Sequence, residues 1–281
     1  MSAPLRLITA AEVTAALLAP TEGGSALDAE EVAQLVMAMA PAAAAWGRQR
    51  QLRLDAYALS HARHDDRPFS WSPLTARRTL GLPAVRSCVW GLASNPSDGV
   101  ALEVERLEQR LADGRERNGS LAHWLSTAPL GASAQAMSQA TAYATELWVA
   151  VRWSELGTHP TVGAPDDVVA HPDGGFVLRG RAEVRLATKR AAAHPSGGEV
   201  RLLILPGGPT EASAITLGAA ALAATLASRD RVPPARMVGL FGAQGQAVVL
   251  EVTPSALRRS ALGVNARVLQ LAAQMQPNQA M

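Results

Sequence analysis

Residues 178–190 read LRGRAEVRLATKR, a stretch in which one carboxylate sits among guanidiniums. Alternate side chains of an extended strand share a face. Arg179, Arg181, Glu183 and Arg185 therefore fall on one side. Leu178, Ala182, Val184 and Leu186 fall on the other, with Gly180 between the first two arginines. The apolar side predicts contact with a core, and the polar side allows two kinds of chemistry. Glu183 with Asp166 or Asp167 upstream, and Lys189 downstream, would form a set able to hold a hard divalent cation and activate water. The guanidiniums instead suit an oxyanion such as phosphate. Arginine stays protonated at working pH, so Arg185 in the triplet EVR clamps phosphate but cannot act as a general base. Guanidiniums around Glu183 also repel a dication and pair with the carboxylate. The face is expected to attract anions rather than to capture a metal.

Other residues with useful chemistry show less pattern. His61 and His64 stand three apart, followed by Asp65 and Asp66, but HARHDDRP is polar and ends in proline, as an exposed turn does. His123, His159, His171 and His194 show no ligand spacing. The chain has no G-x-S-x-G elbow, no P-loop and no G-x-G-x-x-G, so neither a hydrolase nucleophile nor a nucleotide site has sequence support. Cys88 is the single cysteine, which excludes an internal disulfide and a multi-cysteine metal site and fits a reducing cytoplasm. Trp71, Trp90, Trp124, Trp148 and Trp153 are expected in the core. Trp46 and Tyr57 lie among arginines, as base-stacking side chains do.

The 281 residues suffice for one large domain or two small ones. Of the 26 basic residues only Lys189 is a lysine, the usage expected of a GC-rich genome. A net charge of +2 does not argue for nucleic acid. The distribution is more informative, because residues 46–90 carry eight arginines against three acids, Asp55, Asp65 and Asp66. The N-terminus reads without a signal peptide. The apolar run 211–228 is interrupted by Ser, Thr, Gly and Glu, so it predicts a buried core helix rather than a membrane span.

The elements that must position these residues change type along the chain. The first half predicts helices, with start signals at Thr9–Glu12, Asp28–Glu31 and the NPSD of 95–98. A polar, Arg-rich helix or loop is expected from Trp46 to about Arg67, and another helix from Leu74 to Leu92. Val100, Val104, Leu107 and Leu111 form one helical stripe, as do Met137, Ala140, Ala144, Leu147 and Val151. After Gly157 strands are expected near 162–169, 175–187 and 199–205. The helix at 211–228 follows, then strands at 235–241 and 246–252, then a last helix capped by Thr253 with Pro254 at its first position. This order predicts an α/β (α+β) protein: a helical lobe over 1–131 packed on a mixed-sheet core over 132–281, with a C-terminal hairpin and helix.

The segments GRAEV, VRLLILPGG and EASAITLGAAALAATL, in that order, resemble the RecB-like branch of the PD-(D/E)XK nuclease superfamily. Upstream, FSWSP is similar to that family's Ser-Pro segment, and DGVALEVERLE to its Gly-x-x-x-His helix, so the resemblance covers most of 69–253. It implies a restriction-endonuclease-like α-β-β-β-α-β core, and Mg²⁺ or Mn²⁺ held by two acids with a lysine beside the second. Placed on this chain, Glu183 fills the first acid. The second acid falls at Ile204, the lysine at Pro206 and the histidine at Glu103. The cutting motif is not retained.

The expected function is therefore that of a non-catalytic nuclease-fold protein in the cytoplasm. It would bind DNA, RNA or a protein complex through Arg179, Arg181, Arg185, Arg77 and Arg78, without a cofactor and without a membrane. The alternatives are a divergent Mg²⁺- or Mn²⁺-dependent nuclease using Glu183 with Asp166 or Asp167, with Lys189 nearby, and a structural assembly subunit.

Overall fold

In a computed structural model, described over residues 5–21, 25–46, 52–56, 59, 69–157, 160–187 and 199–275, the chain is a mixed α+β protein. It divides into two units, Met1–Asp65 with Thr158–Met281, and Asp66–Gly157. The expected boundary at 131/132 falls inside a continuous helix, Leu130–Ala150.

The first unit is built on two sheets. Strands β1 (Arg6–Thr9), β3 (Pro160–Val162), β6 (Val184–Ala187), β7 (Glu199–Ile204), β8 (Arg236–Phe241) and β9 (Gln246–Glu251) form a six-stranded sheet in the order β1-β9-β8-β7-β6-β3. Only β7 and β8 in it run parallel. Parallel neighbours need a crossover, supplied by a helix over Glu211–Ala227. Strands β2 (Leu52–Asp55), β4 (Asp167–Ala170) and β5 (Phe176–Gly180) form a second sheet in the order β2-β5-β4.

The crossover helix packs against β4 and β5 of one sheet and β8 and β9 of the other. Its sequence suits that place, because small and apolar residues surround it and every residue from Thr216 to Leu226 is buried. The buried hydroxyls of Thr216 and Thr225 donate to Ala212 O and Ala221 O, 2.9 and 2.8 Å away. Glycine on β5 allows the close approach: a Cβ on Gly180 would lie 2.9 Å from both Ala220 O and Ala223 Cβ. This buried helix was expected from sequence. Among the described residues no helix is long and apolar enough to cross a membrane.

Among the described residues this unit also contains the helices α1 (Val13–Leu18), α2 (Ala29–Trp46) and, later in the chain, Pro254–Met275. Asp28 and Glu31 form the expected reciprocal cap of α2, at 2.8 and 3.2 Å. Pro41 lies inside α2 and has no N–H to donate. The next amide, Ala42 N–H, turns outward to Asn265 Oδ1 on the last helix at 2.9 Å, where the two helices pack together. Thr253 accepts from Ala256 N–H at 3.1 Å, the cap expected of it.

The second unit is helical: α3 (Pro73–Val89), α4 (Pro96–Ala112), α5 (Leu121–Thr127) and α6 (Leu130–Ala150). In chain order the later described helices of the first unit are thus α7 (Glu211–Ala227) and α8 (Pro254–Met275). Ser72 and Asn95 cap α3 and α4, each with proline following, and the cap at Asn95 is the one that the sequence predicts. α3 packs against both α4 and α6. A Cβ on Gly99 would lie 2.7 Å from Ala84 O, so glycine sets the approach of α4 to α3.

Three expectations are corrected. Neither 162–169 nor 175–187 is one strand: β3 and β6 belong to the large sheet, β4 and β5 to the small one, and the second stretch bends at Glu183. Each half keeps its own two-residue alternation, so the period does not reveal the change of sheet. Likewise the Arg-rich segment after Trp46 contains β2, whose alternating Leu52 and Leu54 are buried beside Phe176 and Leu178 in the core. Four residues are too few for a periodicity to show.

Candidate functional site

Splitting the strand separates residues that the sequence places on one face. Arg179 ends up on the outer face of the small sheet, 60% exposed, with its Nε donating to Asp166 Oδ2 at 2.7 Å. Arg181 lies half-buried in the connection between β5 and β6 and makes no ion pair among the described residues. Glu183 and Arg185 remain on a common face of the β6 segment, with Val184 and Leu186 opposite.

Glu183 has no solvent exposure. Its main chain is held from both sides, by Gly163 N–H donating to its carbonyl at 2.9 Å and by its own N–H donating to Leu202 O at 2.8 Å. Its carboxylate Oε2 accepts from Ile204 N–H at 2.9 Å. The two positions that the resemblance assigns to paired acids are thus adjacent, but the second carries an isoleucine side chain, which has no oxygen, and meets Glu183 only through its main-chain amide.

Asp167, at the start of β4, joins the two sheets electrostatically. Its Oδ2 accepts from Arg185 Nη2 of β6 at 3.0 Å and also from Arg201 Nη1 of β7. Arg201 is 6% exposed and pairs through its other terminal nitrogen with Glu199. Arg185 and Arg201 are direct cross-strand partners, and Arg185 also donates to Pro165 O at 2.6 Å. Two guanidiniums side by side in a ladder repel unless an anion lies between them, and Asp167 occupies that role. Arg201 and Glu199 escaped the sequence analysis. Their strand was visible, but the register that sets Arg201 opposite Arg185 was not.

The remaining candidates lie elsewhere. Arg77 and Arg78 are half-buried on α3 of the helical unit, and the Arg77 guanidinium lies 5.7 Å from the centre of the Tyr143 ring. Burial pushes the Glu146 carboxyl up from its ordinary value, with Arg77 opposing in part. Glu103 is raised in the same way by burial, against the pull of Arg106, Arg86 and Arg110. Trp46, expected as a stacking platform, packs against the hydrophobic core. Trp148 and Trp153 stack at 5.8 Å, while Trp90, expected in the core, is 66% exposed beneath the Arg86 guanidinium. Lys189, Tyr57, His61, His64, Asp65, Asp66, His159 and His194 lie outside the described residues.

Arg236 is a further polar group missed by sequence. It is 5% exposed, pairs with Glu251 at 2.6 Å, and donates to the carbonyls of Ala16 and Ala19 at 2.6 and 3.3 Å, closing the C-terminal end of α1.

The donors around Glu183 do not fit Mg²⁺ or Mn²⁺, which require several oxygen ligands. The neighbouring side chain, Ile204, has no oxygen to offer, and Asp166 and Asp167 are held by guanidiniums. Among the described residues no group of three or more His, Cys, Asp or Glu is placed to hold a metal ion. What the arrangement does chemically is neutralise charge internally: Asp166, Asp167 and Glu199 engage Arg179, Arg185 and Arg201. No family model, no curated protein and no solved structure matches the chain.

Proposed function

We propose that the chain carries a restriction-endonuclease-like core of the PD-(D/E)XK type in a non-catalytic form, and that it acts in the cytoplasm by binding a protein partner. The strand order supports the fold assignment. β3, β6 and β7 form an antiparallel run, α7 crosses over, and β8 returns parallel to β7, with α6 preceding them in the chain. This is the helix, three strands, helix, strand order that the resemblance implies. In this reading β4 and β5 are an insertion between the first two core strands. The single buried thiol, Cys88, supports a reducing compartment.

The observation that carries the loss of catalysis is the fully buried Glu183, tied to Ile204 N–H where a second acid would stand. A group that must meet water and a phosphodiester needs access, which a carboxylate in this position lacks. No reaction step through a metal follows from these residues.

The choice of protein over nucleic acid rests on charge. Arg179 and Arg185, which would serve a phosphate backbone, already hold Asp166 and Asp167. The helical unit meanwhile exposes large apolar side chains, Phe69 at 70%, Trp90 at 66% and Leu92 at 55%. Exposed aromatic and aliphatic groups are the usual material of protein interfaces.

Titration of labelled single- and double-stranded DNA and RNA, followed by anisotropy at about 50 and 200 mM salt, tests this choice. The expected result is no saturable binding at low micromolar protein. Tight binding that weakens steeply with salt, and that is reduced by Arg179→Ala with Arg181→Ala, would move the assignment to nucleic acid.

A further inference from the structure

Away from the Glu183 region, the first unit contains a cavity of about 180 Å³ between α2 and the small sheet. Val36 and Met39 of α2, Phe176 and Leu178 of β5, and Leu226 of α7 supply its apolar walls. A dry apolar cavity of roughly 150 Å³ accepts benzene, so this one is large enough for a chain or ring of roughly six carbons.

Two polar residues line it, and their situations differ. The His171 side chain is fully buried and already satisfied: Nε2 lies 3.2 Å from Val36 O, and Nδ1 accepts from Asp173 N–H at 3.3 Å. A carbonyl can only accept, so Nε2 carries a proton directed at Val36 O. It has no hydrogen-bonding capacity left for a ligand.

Arg231 is the other. Among the described residues it has a left-handed backbone, with φ 55°, and is not glycine. Two hydrogen bonds hold that conformation, Arg231 N–H to Ser228 O at 3.2 Å and Leu27 N–H to Arg231 O at 3.1 Å. Glycine or asparagine suits such a position better than arginine. What arginine adds is a permanently charged side chain on a residue that lines the cavity, and it makes no ion pair among the described residues.

We propose that this cavity is a binding site for a small monocarboxylate, with its short apolar chain or ring between α2 and β5 and its carboxylate on Arg231. Both ring nitrogens of His171 are engaged by the main chain, so Arg231 is the anchor open to the ligand and a single carboxylate is the class that it suits. The site does not depend on the nuclease-like assignment.

Ligand-observed NMR with hexanoate, benzoate and the neutral isostere hexanamide tests the proposal on the full chain. Saturable binding of hexanoate or benzoate in the millimolar range or tighter is expected, with hexanamide about ten-fold weaker because the charged hydrogen bond is lost. Arg231→Gly separates function from folding. It relieves the left-handed strain, so the melting temperature should hold or rise, while carboxylate affinity falls to that of the amide. Leu226→Trp fills the cavity and should abolish binding of all three. Decanoate distinguishes a free short acid from the end of a longer acyl chain: weaker binding than hexanoate indicates the former, tighter binding the latter, and either supports a carboxylate site. No saturable binding of hexanoate or benzoate up to about 10 mM, or carboxylate binding unchanged in Arg231→Gly, overturns the proposal.

Discussion

Replacing Glu183 with alanine should destabilise the protein, not relieve it. The carboxylate is wholly buried and accepts from Ile204 N–H at 2.9 Å. Its removal leaves that amide without its acceptor, which costs about 1–3 kcal/mol. The methylene and the carboxylate volume lost from a site without solvent exposure leave a cavity that adds about 1–2 kcal/mol. The expected loss is therefore about 2–5 kcal/mol. Glu183→Gln keeps the volume and an acceptor for Ile204 N–H, so it should lose less than half as much. Urea unfolding at pH 7, comparing midpoints and slopes, measures both. Five of the six tryptophans lie in the helical unit, so circular dichroism is the better probe of the sheets than fluorescence. Amide exchange at Ile204 gives a local readout: its protection should fall in the alanine variant and persist in the glutamine one. Residues kept for catalysis commonly reduce stability. An alanine variant as stable as wild type, or more so, would mark Glu183 as a functional group and refute the argument.

The two neighbouring aspartates should behave differently. Asp167→Asn leaves Arg185 and the 6%-exposed Arg201 facing each other without their shared anion and should cost about 3–5 kcal/mol in urea unfolding. Asp166→Asn breaks a pair whose arginine is 60% exposed and should cost less than about 1 kcal/mol. Gly180→Ala places a methyl 2.9 Å from Ala220 O and should lower stability by about 1–3 kcal/mol, seen as a lower melting temperature. Burial raises the Glu146 carboxyl in the folded state, so its contribution to stability is fullest below the ordinary glutamate range and is lost as pH rises through the raised value. Glu146→Gln should accordingly be more stable than wild type at pH 7, with the advantage disappearing near pH 4 in paired unfolding curves.

Much of the architecture was legible because it follows from local chemistry. The caps at Asn95 and Thr253 combine a side-chain acceptor with a following proline, and both signals lie within a few residues. α7 was visible as a core helix because it has no polar face. The division of 175–187 between two sheets was not legible, since β5 and β6 each alternate correctly and the sheet to which a strand belongs is a long-range choice. The same limit governs the candidate site. Glu183 and the arginines around it could be picked out by type, yet their roles depend on Asp167 and Arg201, which strand pairing brings in from 16 and 18 residues away from Glu183 in sequence. Expected as an anion-attracting face, Arg179 and Arg185 are instead occupied by the protein's own carboxylates. Arg181 alone of that set makes no ion pair among the described residues.

The central claim is that the Glu183 region performs no metal-dependent cutting. Incubation of the full chain with linear and circular DNA and with RNA, in Mg²⁺ or Mn²⁺ against a chelated control, addresses it directly. The account predicts no cleavage above the control for wild type, Glu183→Gln or Asp167→Asn. Cleavage that requires the metal and is abolished in Glu183→Gln, while that variant keeps the wild-type circular dichroism spectrum, would contradict it.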